Sequence, residues 1–231
     1  MRRERRRWVV RFGAALALAP LAACRSSARS AEYGALRSYV ARPHDTAAKR
    51  LPVVLVLPGE HGIDAHTESV AQRAAHAGFM AIAPDLSALQ DGEARVGKLL
   101  ALVEDVAARP ESGHLGAIGY SSGGTAALRL AARSQTLSAV VAYYAPLPPV
   151  LEAPRIRARL LLHFAQNDAE INTGVPAYEA ALNAAGVPNA IHVYAGTGQG
   201  FAEESDASRY RSEAAALAWQ RSVAFLRDAL A

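Results

Sequence analysis

The sequence contains a single cysteine, Cys24, so no disulfide bond can form within the chain. It has no internal repeat and no low-complexity block. Its N-terminal apolar stretch, residues 12–23, is too short to cross a bilayer as a helix. No group of histidines and carboxylates has the spacing of a metal site. We therefore expect no metal and no cofactor.

The positive charge of the chain is concentrated at its start. Of a net charge of +4, much of the basic excess lies in the first eleven residues, as Arg2, Arg3, Arg5, Arg6, Arg7 and Arg11. No basic stripe with interleaved aromatic residues follows, so the sequence does not favour nucleic-acid binding. With 51% hydrophobic and 20% charged residues, the composition is that of a globular protein. A chain of 231 residues accommodates one domain with a sizeable core.

Residues 1–24 have the pattern of an export signal, an arginine-rich segment followed by an apolar stretch. The signal ends Leu21-Ala22-Ala23-Cys24, which resembles the bacterial lipobox, so Cys24 would become the lipidated first residue of the mature protein. The arginines before Trp8 resemble, more loosely, a twin-arginine signal. The alternative is a plain secretory signal with a chance cysteine near its cleavage site. The lipoprotein interpretation predicts a cell-envelope or periplasmic protein that touches the membrane only through its lipid anchor.

Residues 25–34 are small and polar and predict a flexible tether, whereas residues 35–231 predict one domain of alternating strands and helices. Alternating βα units argue for an α/β fold, a mostly parallel sheet with helices on both faces. Active sites in such sheets lie at the carboxyl ends of the strands. The predicted strands are 35–41, with the pattern of an edge strand, and 51–57, 79–83, 115–118, 138–144, 160–164 and 190–194. The predicted helices are 65–77, 93–108, 122–130, 176–185 and 208–229.

A G-x-S-x-G motif joins the strand at 115–118 to the helix that follows it. Gly119, Ser121 and Gly123 fit the nucleophile elbow of α/β-hydrolases, in which a strained turn projects the serine above the sheet. The N–H of Ser122 and the positive end of the helix dipole would then face an oxyanion formed beside Ser121. The alternative is an ordinary glycine-rich turn.

An acidic residue follows the strand at 160–164. Asp168 lies where the chain order Ser, Asp, His of these hydrolases requires the acid that orients the base. The alternative role for Asp168 is a helix N-cap or a turn aspartate.

From about Leu36 to the C-terminus, the chain resembles the dienelactone hydrolase family. The resemblance implies an α/β-hydrolase fold and hydrolysis of small esters or lactones, with Asp168 as the acid and position 199 as the catalytic base. Tyr120, Tyr144, Phe201 and Glu203 would contact the substrate. The stretches that carry the likeness are Tyr39–Pro43 (YVARP), Gly78–Leu86 (GFMAIAPDL), Gly119–Gly124 (GYSSGG), the pair Tyr143-Tyr144, and Val193–Phe201 (VYAGTGQGF).

Four positions depart from the family pattern. Ser121 replaces the usual cysteine nucleophile, and Gly59 replaces the glutamate that holds the thiol at rest. Glu203 stands where the typical enzyme has an arginine for a substrate carboxylate, which favours neutral or cationic substrates. Gln199 replaces the histidine base, and an amide cannot accept and return a proton near neutral pH. A histidine at position 199 would therefore be expected to raise activity by orders of magnitude, unless another residue is already the base.

The sequence has seven histidines that could replace the missing base. His61 lies in the loop that should supply the second oxyanion donor, the backbone N–H of Glu60, and is the candidate surrogate base. The alternative for His61 is a residue at the rim of the pocket. His163 and His192 lie within strands and predict structural roles, while His66 and His76 predict exposed positions on a helix.

Two functions follow from these residues. One is a hydrolase of small esters or lactones in which Ser121 attacks and the N–H groups of Ser122 and Glu60 hold the oxyanion. The other is a pseudoenzyme, a cell-envelope lipoprotein that binds a ligand or a partner in the hydrolase pocket without turnover. We expect a monomer in either case.

Overall fold

An eight-stranded sheet forms the centre of the protein in the computed structural model, which describes residues 26–44, 50–59, 62–89 and 92–231. The export signal and Cys24 lie outside the described residues. The strands are β1 (Ser26–Tyr33), β2 (Leu36–Pro43), β3 (Leu51–Leu57), β4 (Met80–Pro84), β5 (Ser112–Tyr120), β6 (Leu137–Tyr143), β7 (Arg159–Asn167) and β8 (Asn189–Gly198).

The sheet has the order β1-β2-β4-β3-β5-β6-β7-β8. From β4 to β8 neighbouring strands are parallel, while β2 pairs antiparallel with β1 and with β4. The mostly parallel sheet predicted from the alternating pattern is confirmed. Because β3, β5, β6, β7 and β8 run in the same direction, the segments that follow them meet at one edge.

Helices cover both faces of the sheet. They are α1 (Ala65–His76), α2 (Glu93–Ala107), α3 (Ser122–Ala131), α4 (Ala169–Asn172), α5 (Val175–Ala184) and α6 (Ser212–Ala229), with a 3₁₀ helix at Val150–Arg155. Residues of α2, α3 and α5 pack in one hydrophobic core, and residues of α1 and α6 in a second. Alternate residues of β3 belong to the two cores, which is why its sequence is a continuous apolar run. None of the helices described is both long and apolar enough to cross a bilayer.

The prediction that residues 25–34 form a flexible tether is wrong for most of that segment. Residues 26–33 form β1, which pairs with β2 along its whole length. Gly34 and Ala35 both have positive φ and make the tight turn between the two strands. Tyr33 is 2% exposed, and the guanidinium of Arg109 lies 4.2 Å from its ring centroid. This tertiary packing stabilises the segment as a strand, although its composition alone does not predict one.

Three further features differ from the sequence prediction. The first predicted strand is not at the edge, because β1 lies outside β2. The 3₁₀ helix and α4 were not predicted, since both are only one or two turns long. The last helix begins at Ser212 and not near residue 208. Asp206 explains the delay, because its Oδ1 accepts hydrogen bonds from the N and Oγ of Ser208 and holds a turn there.

Candidate active site

Ser121 lies in a strained turn between β5 and α3. Its φ of 49° and ψ of −123° fall in a region that side chains other than glycine rarely adopt. Its N–H donates to the carbonyl of Tyr143 at 3.0 Å, and its own carbonyl accepts from Gly124 N at 2.9 Å and Thr125 N at 3.2 Å. The strand, the sharp turn and the helix predicted around Ser121 are therefore present, and the turn is fixed on both sides.

The glycines of the motif are required by close approach of backbone atoms. A Cβ atom at Gly119 would lie 2.3 Å from the carbonyl oxygen of Gly123. A Cβ atom at Gly123 would lie 2.3 Å from the carbonyl oxygen of Leu57, at the end of β3. Both distances are too short for any side chain, so the elbow needs glycine two residues before and two residues after Ser121.

Ser121 lines a cavity of about 190 Å³ at the carboxyl edge of the sheet. The cavity brings together five of the residues predicted for the site, from three separate parts of the chain: Tyr120, Ser121, Tyr144, Gln199 and Glu203. Three charged or titratable residues that the sequence did not indicate also line it, namely Asp64, His66 and Arg209.

The backbone beside Ser121 offers a donor for an oxyanion. Ser122 is the first residue of α3, where the N–H groups have no acceptor within the helix. The loop after β3 contributes Pro58 and Gly59 to the cavity wall. Glu60 and His61, the predicted second donor and surrogate base, lie outside the described residues.

Two tyrosines form the apolar part of the wall. The Tyr120 ring stacks on Tyr143, with centroids 4.6 Å apart. Tyr144 has a positive φ of 37°, and its N–H donates to the carbonyl of His163 at 2.7 Å. Burial raises the pKa of Tyr144 well above its ordinary value, so its hydroxyl stays protonated. That hydroxyl is buried and has no hydrogen-bond partner among the described residues.

Phe201 does not line the cavity. It is fully buried, and its ring meets the ring of Tyr144 edge-on at 5.5 Å. The predicted substrate contact of Phe201 is therefore wrong, since the side chain packs behind Tyr144 and supports it from the core.

Gln199 lines one cavity with Ser121 and another with Asp168 but has no hydrogen bond to either residue in the described chain. Its Nε2 donates to the carbonyl of Tyr144 at 3.1 Å, and its Oε1 is buried without a partner among the described residues. Asp168 lines a neighbouring cavity whose wall Gln199 shares. The carboxylate of Asp168 caps α4, accepting from Ile171 N at 3.4 Å, while its Oδ2 has no partner in the described chain. Gln199 therefore does not connect Ser121 to Asp168 by hydrogen bonds.

His163 and His192 do not line the Ser121 cavity. His163 has the structural role predicted for it. His163 is fully buried in β7, with Nε2 3.0 Å from Ser222 Oγ and Nδ1 2.9 Å from Tyr194 OH. Burial lowers the pKa of His163 to about 3. His192 lies beside it in β8 and does not line the Ser121 cavity.

His66 is not the exposed helix residue that the sequence predicted. It is 5% exposed and lines the Ser121 cavity. Asp64 caps α1 by accepting from Thr67 N at 2.8 Å, which places His66 in the first turn, beside the end of β5. The His66 ring meets the Tyr120 ring edge-on at 4.7 Å, and Nδ1 lies 3.5 Å from Glu203 Oε1. His76, at the other end of α1, is exposed as predicted.

The charged groups at the cavity are two carboxylates and one guanidinium. Glu203 is there as predicted, and Asp64 adds a second negative charge. Arg209 supplies the positive charge, with its Nε donating to Asp206 Oδ2 at 2.6 Å. No group of three residues that could ligate a metal occurs within the described ranges.

The comparisons with known proteins agree with this architecture. The sequence profile of the dienelactone hydrolase family matches residues 36–96 and 89–230. A Bradyrhizobium protein named as a probable 2-oxo-3-(5-oxofuran-2-ylidene)propanoate lactonase is 30% identical over 222 residues, covering 82% of this chain and 88% of that protein.

Solved structures share the fold at lower sequence identity. A dienelactone hydrolase-like promiscuous phosphotriesterase from metagenomic libraries superposes with a TM-score of 0.79 at 22% identity, covering 89% of this chain and 99% of that one. A Rhizomucor miehei esterase superposes with a TM-score of 0.73 at 17% identity, covering 89% of this chain and 84% of that one. The family profile spans the sheet from β2 to β8, the elbow and the cavity, and the chain therefore belongs to the dienelactone hydrolase family of α/β-hydrolases.

Proposed function

We propose that this protein is a serine hydrolase of small carboxylic esters or lactones, with Ser121 as its nucleophile. The observation that carries the proposal is the strained elbow, which holds Ser121 at a φ of 49° in the wall of a cavity and at the start of a helix. Natural proteins keep such strain mainly where it positions a functional group. The lactonase named among the relatives supports the substrate class.

The chemistry follows from the cavity wall. Ser121 Oγ attacks the carbonyl carbon, and the N–H of Ser122 stabilises the oxyanion; from the sequence alone, we propose the N–H of Glu60 as the second donor. The hydroxyl of Tyr144, which lacks a partner in the described chain, donates to an oxygen of the bound substrate. A cavity of about 190 Å³ accommodates a small acyl group or a single lactone ring.

A direct test of this function is hydrolysis of 4-nitrophenyl acetate and of a neutral six-membered lactone by the purified protein. We expect turnover of both above the rate in buffer.

The pseudoenzyme is the second candidate, favoured by Gln199, which takes the position of the family base without bonding to Asp168. The pseudoenzyme hypothesis predicts no turnover but saturable binding of a lactone. Calorimetry with a lactone that is stable in buffer would detect this binding. Such a result would overturn the hydrolase proposal.

The cavity is expected to favour neutral over anionic substrates. Two carboxylates, Asp64 and Glu203, face one guanidinium, that of Arg209, so a substrate carboxylate meets net repulsion. The measurement compares kcat/KM for neutral esters and carboxylate-bearing lactones with matched leaving groups. Arg209→Gln should further weaken the anionic substrate and leave the neutral one nearly unchanged. Faster turnover of the anionic substrate by the native protein would contradict this expectation.

We also propose that the exported protein begins at a lipidated Cys24 and resides in the cell envelope. The support is the sequence Leu21-Ala22-Ala23-Cys24 after a short apolar stretch. One acyl chain binds membranes only marginally, so stable anchoring needs two or more. Mass spectrometry of the mature N-terminus should find a diacylated or triacylated Cys24, and Cys24→Ala should release the protein from membranes. An unmodified N-terminus at another residue would refute the proposal.

A further inference from the structure

His66 is the one imidazole among the described residues that line the Ser121 cavity. It is more than nine-tenths buried, yet neither ring nitrogen has a hydrogen-bond partner in the described part of the chain. His163, by contrast, is fully buried with both nitrogens hydrogen-bonded. Buried polar groups are rarely left without a partner, and the exceptions call for an explanation.

We propose that His66 is the general base that activates Ser121, and that Glu203 is the carboxylate that orients its ring. This inference rests on the proposed function and deepens it, because it supplies the base that Gln199 cannot be. The relay would then run through His66, at the start of α1, and Glu203 in place of Gln199 and Asp168.

The contacts of the ring determine which nitrogen takes which role. Nδ1 lies 3.5 Å from Glu203 Oε1, slightly beyond hydrogen-bond distance, so Nδ1 carries the proton that points at the carboxylate. Nε2 then keeps a lone pair for the serine proton. Catalytic hydrogen bonds are often long in the free enzyme and shorten when substrate binds.

Neighbouring groups hold this arrangement in place. The edge-on contact with Tyr120, the residue directly before Ser121, fixes the ring at the elbow. The capping hydrogen bonds from Thr67 N and Oγ1 to Asp64 hold the first turn of α1 that carries His66. Ser205 Oγ donates to Glu203 Oε1 and limits the freedom of the carboxylate.

The proton balance of the reaction closes with these residues. As Ser121 Oγ bonds to the carbonyl carbon, its proton moves to His66 Nε2, and Glu203 stabilises the resulting imidazolium. When the ester C–O bond breaks, the same proton passes to the leaving alkoxide. Water then attacks the acyl-enzyme, gives a proton to Nε2, and that proton returns to Ser121 Oγ as the acid leaves.

The first test is His66→Phe, which retains a ring against Tyr120 and removes the base. We expect kcat/KM for a neutral activated ester to fall about 10²–10⁴-fold, mostly in kcat, because general-base assistance contributes that much. His76→Phe is the matched control on the exposed end of α1 and should leave activity within about twofold of native. Added imidazole should restore part of the activity of His66→Ala, which a purely structural role would not explain.

The pH profile is the second test. Burial lowers the pKa of His66, Arg73 lowers it further, and Glu203, Glu204 and Asp64 raise it. Because the net shift is downward, the imidazole is neutral at pH 7, and kcat/KM should fall only as pH drops through a value below about 6.5. Glu203→Gln removes the charge that favours imidazolium, so this acid limb should move to lower pH. In His66→Phe the limb should be absent.

The outcomes separate this inference from the proposed function. If Ser121→Ala abolishes activity while His66→Phe matches the native kcat/KM and pH profile, the inference is wrong and the serine hydrolase remains. If Ser121→Ala retains full activity, the proposed function itself fails. Should His66→Phe not fold, His66→Asn with and without imidazole decides, since an unchanged rate without imidazole would equally overturn the inference.

Discussion

Ser121→Ala is expected to reduce kcat/KM for a neutral activated ester by at least about 10³-fold, because it removes the hydroxyl that the strained elbow holds in the cavity wall directly before α3. The methyl group of alanine fits wherever the serine side chain fits. The three hydrogen bonds that hold the elbow use backbone atoms and are retained. The loss should therefore appear in kcat, with thermal stability close to native.

Ser138→Ala is the matched control for that substitution. Ser138 lies near the start of β6, at the end of the strand opposite the cavity. It should leave kcat/KM within about twofold of native, as a substitution remote from the site usually does. Equal losses in the two variants would show that the assay reports stability, and no loss in Ser121→Ala would remove Ser121 from the mechanism.

The second large effect is the recovery of activity when a histidine at position 199 replaces the base lost in His66→Phe. In the His66→Phe background, Gln199→His should raise kcat/KM by about 10²–10⁴-fold, the range of general-base assistance. Residue 199 shares one cavity with Ser121 and another with Asp168, whose Oδ2 has no partner in the described chain. An imidazole there can donate to Asp168 on one side and accept from Ser121 on the other.

A triple variant that also lacks the Asp168 carboxylate is the control for this recovery of activity. Adding Asp168→Ala to the double variant should remove most of the gain, because the new imidazole loses the carboxylate that fixes its tautomer. In the native background, Gln199→His should change kcat/KM by less than about tenfold, since a base is already present. A gain of several orders of magnitude there would show that the native protein lacks a base and would contradict the role of His66.

The fold could be predicted from the sequence because its patterns are local. The apolar run of β3 and the G-x-S-x-G turn both depend on neighbouring residues, and both are found where they were predicted. The β1 strand could not be predicted in this way. Its small polar residues form a strand because they pair with β2 and because Tyr33 is buried against Arg109, which is distant in sequence.

The candidate site could be predicted only in part, for the same reason. Ser121, Gln199 and Glu203 follow strands whose carboxyl ends meet, so strand order alone brings them to one cavity. His66 depends on where α1 begins and on how its first turn packs against Tyr120. The predicted helix at 65–77 already placed His66 in the first turn, after an N-cap aspartate, Asp64. The orientation of the His66 ring is set by its packing against Tyr120, and the sequence spacing alone does not predict that orientation.

Covalent labelling of the nucleophile tests the central claim most directly. The purified protein would be treated with a fluorophosphonate ester, and the site of modification located by mass spectrometry of its peptides. We predict a single phosphonyl adduct on Ser121, formed slowly in His66→Phe and absent from Ser121→Ala. An unlabelled native protein, or an adduct that persists at another residue in Ser121→Ala, would contradict the account.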